Sequence, residues 1–234
     1  MSRIVYIIIK MNVLVIYYFI GIWKYSIKKV KDYQGIHKWI GKACLCAIKK
    51  GNITINIEGV ENIPEKDGFI FYPNHQGLFD VLVFFASCPK AFAFVIKQEV
   101  SKVILLKQII RGTGSYPLDR KDLRKSIKVI NDVTEDVKNG RNFIIFAEGT
   151  RSKMGNKMND MKGGSFKAAT NAKCPIVPCA LIDSFRPFDE KGTKPITVTL
   201  KYLKPLEYEE YKDMKATEIA GEVKRRIEEA IGEC

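Results

Sequence analysis

The chain has 234 residues, 46% hydrophobic and 28% charged, which suits one medium domain and excludes a disordered chain, a collagen-like repeat and a polytopic membrane protein. Its 39 lysines and arginines against 26 acids give a net charge of +13, an excess that attracts nucleic acid, an acidic membrane surface or a phosphorylated substrate. Six cysteines without C-x-x-C or Cys/His spacing exclude a disulfide scaffold and a zinc site, and point to reduced thiols in a cytosol-facing protein.

From the N-terminus, residues 4–23 are almost wholly apolar, interrupted by Lys10, Asn12 and Gly21. Twenty helical residues span roughly 30 Å, about one hydrocarbon core. Lys24, Lys28, Lys29, Lys31, Lys38, Lys42, Lys49 and Lys50 follow, with Asp32 the one acid, so residues 24–50 carry a net +7. This pattern predicts membrane-associating helices over residues 1–50, held at an anionic cytoplasmic leaflet, ahead of a domain over residues 51–234. Lys10 and Asn12 would be costly at the bilayer centre, so a shallow or re-entrant helix stands beside a full span. A cleaved signal peptide is disfavoured, because no A-x-A-like site follows and the basic flank is on the wrong side. A second helix over residues 34–48 puts Ile36, Ile40, Cys44, Ala47 and Ile48 at helical spacing; it lies in the interface or covers the core.

Beyond Gly51 the texture is that of a soluble α/β domain. Ile53, Ile55 and Ile57 alternate with Thr54, Asn56 and Glu58, a strand with one buried face. Short apolar runs recur at 69–72, 92–96, 143–147, 176–182 and 196–200. Leu123, Ile127, Ile130, Val133 and Val137 mark one face of a helix that Arg120 opens, with Asp119 at or near its cap. Residues 211–231 read as a closing amphipathic helix. Alternating strands and helices predict an α/β fold with a largely parallel or mixed sheet flanked by helices.

No G-x-S-x-G elbow, P-loop, H-E-x-x-H or G-x-G-x-x-G is present. Three other constellations follow predicted strands or open helices. In Asn74-His75-Gln76-Gly77-Leu78-Phe79-Asp80, an imidazole can take a proton from an alcohol if a carboxylate fixes its tautomer. Positions five apart diverge by about 140° on a straight helix, so His75 and Asp80 meet only across a turn or helix start. Phe146-Ala147-Glu148-Gly149-Thr150-Arg151-Ser152 offers a carboxylate, a flexible glycine, a hydroxyl and a phosphate-reading arginine. Gly114-Ser115-Tyr116-Pro117-Leu118-Asp119-Arg120 adds a second arginine.

In order and spacing these blocks, with Lys97-Gln98-Glu99-Val100, Lys162-Gly163-Gly164-Ser165-Phe166 and Val177-Pro178-Cys179, resemble the 1-acylglycerol-3-phosphate acyltransferases over about residues 50–205. Ala147 stands where that family usually has proline, and Cys179 where an apolar residue is usual. The resemblance implies transfer of a fatty acyl group from acyl-CoA or acyl carrier protein to the free hydroxyl of lysophosphatidic acid, giving phosphatidic acid. It implies His75 as general base oriented by Asp80, with Lys97, Arg120, Glu148, Gly149, Thr150 and Arg151 in substrate binding. The arginines take the phosphate and Glu148 orders them or the glycerol; no bound cofactor, metal or nucleic acid is implied. The enzyme would be membrane-associated, its active site facing the cytoplasm. Two alternatives stand beside it: a related acyltransferase for another lysophospholipid or glycerol 3-phosphate, and a non-catalytic binder of anionic membranes.

Overall fold

The computed structural model describes residues 1–232. The apolar N-terminal run is broken rather than continuous. It forms α1 (Arg3–Met11) and α2 (Val13–Ile27), bent by 87° at Asn12, whose φ of 48° no helix interior adopts. Fifteen residues of α2 reach only about 22 Å. Among the described residues, no single helix is long and apolar enough to cross a membrane, although the bent pair is by length and composition together. Ile8, Ile9, Val13, Ile16 and Tyr17 are exposed on the pair. Arg3, itself buried, pins α1 to the domain: Nη1 donates to Gly51 O at 2.6 Å and Nη2 to Lys194 O at 2.7 Å.

Helix α3 (Tyr33–Lys50) is capped by Asp32, whose side chain accepts from Gly35 N. It buries Ile36, Ile40, Cys44 and Ile48, so it covers the core. There follow β1 (Ile53–Glu58), β2 (Ile70–Pro73), α4 (Asp80–Ser87), β3 (Phe92–Lys97), α5 (Ile104–Thr113), β4 (Tyr116–Leu118) and α6 (Leu123–Lys138). The chain continues through β5 (Asn142–Ile145), α7 (Lys167–Ala172), β6 (Ile176–Ile182), α8 (Arg186–Asp189), β7 (Ile196–Tyr202), α9 (Tyr208–Tyr211) and α10 (Ala216–Gly232). Three expectations change. A short strand, β4, lies within the Gly114–Arg120 block. Helix α6 starts at Leu123, because Asp122 rather than Asp119 caps it by accepting from Lys125 N, and this leaves Arg120 in the preceding turn. The closing helix is two, α9 and α10.

The sheet is mixed, with order β1-β7-β6-β2-β5-β3-β4; β6, β2, β5, β3 and β4 are parallel, while β7 is antiparallel to β6 and carries β1 with it. Alternation along the strands makes two cores. Phe69, Phe71, Phe92, Phe94, Ile144, Val177, Cys179, Val198 and Leu200 meet the N-terminal helices and α4 on one face. Ile70, Tyr72, Ala93, Phe143, Ile145 and Ile176 meet α6, α7 and α10 on the other. Cys44, Cys46, Cys88, Cys174 and Cys179 are free thiols, and Cys234 lies outside the described residues. Burial pushes Cys44, Cys88 and Cys174 up to about 12, which makes them poor nucleophiles.

Candidate active site

Because five strands are parallel, the loops that follow them emerge at one edge of the sheet, where open α/β folds place their ligands. The loop after β2 carries His75, that after β3 follows Lys97, that after β4 carries Arg120, and that after β5 carries Glu148 to Arg151. The loop after β6 carries Asp183 and Ser184, which sequence reasoning missed. Asn74 ties two of these loops together: its amide donates to Leu181 O at 2.9 Å and accepts from Leu181 N at 2.7 Å.

His75 and Asp80 meet. Asp80 is the first residue of α4, where a negative charge suits the helix dipole, and the turn before it folds His75 back. His75 Nδ1 lies 2.8 Å from Asp80 Oδ2. Since the carboxylate accepts, Nδ1 carries the proton and Nε2 keeps its lone pair for a substrate. Asp80 is fully buried and also accepts from Gln76 N at 2.8 Å, Gly77 N at 3.1 Å and Ser184 Oγ at 2.6 Å. Phe146 stacks on the imidazole, ring centres 4.2 Å apart, and supports it from one face.

Glu148 is buried, and its oxygens accept from His75 N at 2.6 Å and Asn159 N at 2.7 Å, so it braces the loop that carries His75. Burial raises its carboxyl above the ordinary glutamate value. A raised value contributes stability that is fully present below the ordinary glutamate range and is lost as pH rises through the raised one. Glu148→Gln should abolish that pH dependence in urea unfolding. It should also cost about 1–3 kcal/mol, because its amide N–H group would confront a backbone donor.

The cations gather unequally. Arg120 donates from Nη1 to Gly149 O. Gly149 has φ +78, and a Cβ there would lie 3.0 Å from Arg120 Nη1 and 3.3 Å from Lys162 Nζ, so both cations converge on this glycine. Lys162, unassigned by motif reading, thereby joins the site. Thr150 is exposed and Arg151 half-buried on the same loop. Lys97 is not drawn in: its ammonium pairs with Glu99 Oε1 at 3.2 Å, both side chains exposed. Among the described residues no group of His, Cys, Asp or Glu is disposed to hold a metal. An open cleft of about 410 Å³, lined by residues including Tyr33, Lys107, Arg111 and Arg141, contains none of these groups.

The acyltransferase family model matches residues 54–182, the span that bears the His75–Asp80 pair and the cationic loops at the ends of the parallel strands. The chain belongs to that family, within the glycerolipid acyltransferase superfamily. It is 33% identical over 129 residues to the chloroplastic 1-acyl-sn-glycerol-3-phosphate acyltransferase LPAT1 of Arabidopsis thaliana, covering 55% of this chain and 36% of that one. With the 1-acyl-sn-glycerol-3-phosphate acyltransferase of Helicobacter pylori it shares 27% identity over 150 residues, 64% of this chain and 62% of the relative. The match thus spans about a third of the chloroplastic relative's length. The crystal structure of the 1-acyl-sn-glycerophosphate (LPA) acyltransferase PlsC from Thermotoga maritima superposes with a TM-score of 0.78 at 25% identity, covering 97% of this chain and 95% of that chain.

Proposed function

We propose that the protein transfers a fatty acyl group from an acyl thioester, of coenzyme A or acyl carrier protein, to the sn-2 hydroxyl of 1-acylglycerol 3-phosphate, forming phosphatidic acid. The observation that carries this is the 2.8 Å contact between His75 Nδ1 and a buried Asp80, on the sheet edge that also bears Arg120 and Arg151. His75 Nε2 takes the hydroxyl proton while Asp80 holds the imidazolium that forms. The oxygen attacks the thioester carbonyl, the C–S bond breaks, and the same imidazolium protonates the leaving thiolate. Positioned acid–base catalysis contributes ~10²–10⁴-fold, and orientation with oxyanion stabilisation supplies the rest.

Arg120, Arg151 and Lys162 take the acceptor phosphate, and Gly149 admits them closely. Lys97 neutralises charge only after leaving Glu99. Residues 1–50 hold the protein on an anionic membrane surface through the exposed face of α1 and α2, and residues 51–234 carry the chemistry toward the cytoplasm.

The test is labelled acyl transfer in detergent to lysophosphatidic acid, with coenzyme A and carrier-protein thioesters in parallel. Phosphatidic acid should form from one or both donors; equal turnover of a neutral acceptor would overturn the phosphate assignment. Arg120→Ala and Arg151→Ala should each raise KM for lysophosphatidic acid roughly 10- to 100-fold, the worth of a charge-assisted hydrogen bond of ~1.5–3 kcal/mol. Their kcat should change less. Initial rates against acceptor concentration check this.

A further inference from the structure

We infer that Ser184 is a positioning residue of the catalytic pair: its hydroxyl completes a Ser184–Asp80–His75 relay that sets how strongly Asp80 holds the imidazolium. The inference rests on the acyl-transfer reading of the same site. Ser184 is fully buried, 104 residues from Asp80 in sequence, and its Oγ donates to Asp80 Oδ1 at 2.6 Å. His75 Nδ1 occupies the other oxygen, Oδ2. The hydroxyl and the imidazole therefore compete for charge on one carboxylate.

The hydroxyl is not what holds this loop in place. Ser184 N donates to Gln76 Oε1 at 2.7 Å, Asp183 N donates to Asn156 Oδ1 at 2.8 Å, and Gln76 Nε2 donates to the same Asn156 oxygen at 2.8 Å. With the paired Asn74–Leu181 bonds, the loops after β2, β5 and β6 are latched without Ser184 Oγ. What the hydroxyl adds is electrostatic: a short donation into Asp80 draws negative charge away from the imidazole. Among the described residues, two acids are hydrogen-bonded to His75: Asp80, at the start of α4, through the ring, and Glu148, on the loop after β5, through the backbone N–H. Asp183 is paired with Arg186 at 3.0 Å and with Asn156, so it does not compete for the ring.

Removing the hydroxyl should leave Asp80 more able to stabilise the imidazolium. In Ser184→Ala the acid limb of the kcat profile should move to higher pH, and the His75 ring C–H signals followed by NMR across pH should move with it. The chain has only His37 and His75, so a His37 variant assigns the signals. On that acid limb, where the base is mostly protonated, kcat should fall roughly 3- to 10-fold with KM for the acceptor little changed. Ser184→Thr, which keeps the hydroxyl, should restore the wild-type profile. If Ser184→Ala does not fold, Ser184→Cys, similar in volume and a weak donor, should shift the titration the same way. A folded Ala or Cys variant whose His75 titration stays at the wild-type midpoint would overturn the relay, whatever its activity. Wild-type protein that shows no transfer to lysophosphatidic acid would instead overturn the reading on which the relay rests, and the NMR titration separates the two results.

Discussion

His75→Ala is expected to reduce acyl transfer by about 10²–10⁴-fold while the protein stays folded. The loop does not depend on the ring. Its anchors are main-chain groups, His75 N on Glu148 and His75 O accepting from Ser152 N at 2.9 Å, and alanine keeps both. The imidazole is partly open, with 21% side-chain exposure, so its loss leaves no large closed cavity. Initial rates with lysophosphatidic acid, alongside thermal unfolding, make the comparison. A variant that retains more than a tenth of wild-type turnover would remove the general base from the mechanism. An anionic-membrane binder without catalysis would, by contrast, show no dependence on this residue.

Asp80→Asn is expected to do comparable damage to turnover by a different route, with a loss of as much as about 10⁴-fold. Every group around Asp80 donates: Gln76 N, Gly77 N, Ser184 Oγ and the imidazole. An asparagine has one oxygen for them and must aim its NH₂ at one. Aimed at His75, it selects the tautomer with the proton on Nε2, which then cannot take one from an alcohol. Aimed elsewhere, it leaves a buried donor facing a donor, at ~1–3 kcal/mol. Asp80→Asn should therefore lose stability as well as activity, whereas His75→Ala should lose activity alone. Urea unfolding of the two variants separates these effects, and equal stability of both would show that the donor shell does not constrain Asp80.

On the membrane-surface reading proposed above, the broken N-terminal helix bears on how the site would meet lipid. Arg3 and α3 fasten α1 and α2 to the face of the sheet that also buries α4, the helix Asp80 opens. On that reading, an apolar surface fixed to the domain in this way would hold the edge that bears His75 at a set height above the lipid. A flexible tether would leave that height open.

Much of this protein was legible in one dimension, because the signals are local. Period-two alternation at Ile53, Ile55 and Ile57 fixed β1, and dense apolar runs fixed β2, β3 and β5 to β7. The order of short motifs, at or just past strand ends, resembles the acyltransferases, and the family model matches residues 54–182. Even the turn between His75 and Asp80 followed from the angle that separates residues five apart on a helix. What the tertiary structure decided involves partners far apart in sequence or a choice between surfaces. Residues 4–23 are apolar enough for one helix, yet Asn12 takes a left-handed φ and splits them, and α3 buries a face whose pattern suits lipid or protein equally. No pattern shows that the Glu148 carboxylate meets backbone donors, 73 residues upstream at His75 and at Asn159. Ser184 carries no pattern that marks it, and only the convergence of parallel strands at one edge brings it to Asp80; Lys162 opens a block of the resemblance, but its return to Gly149 at the end of the loop after β5 shows only in three dimensions. Hydrogen bonds and charge act through space, so a one-dimensional pattern can name the reacting groups but cannot assign the neighbours that tune them.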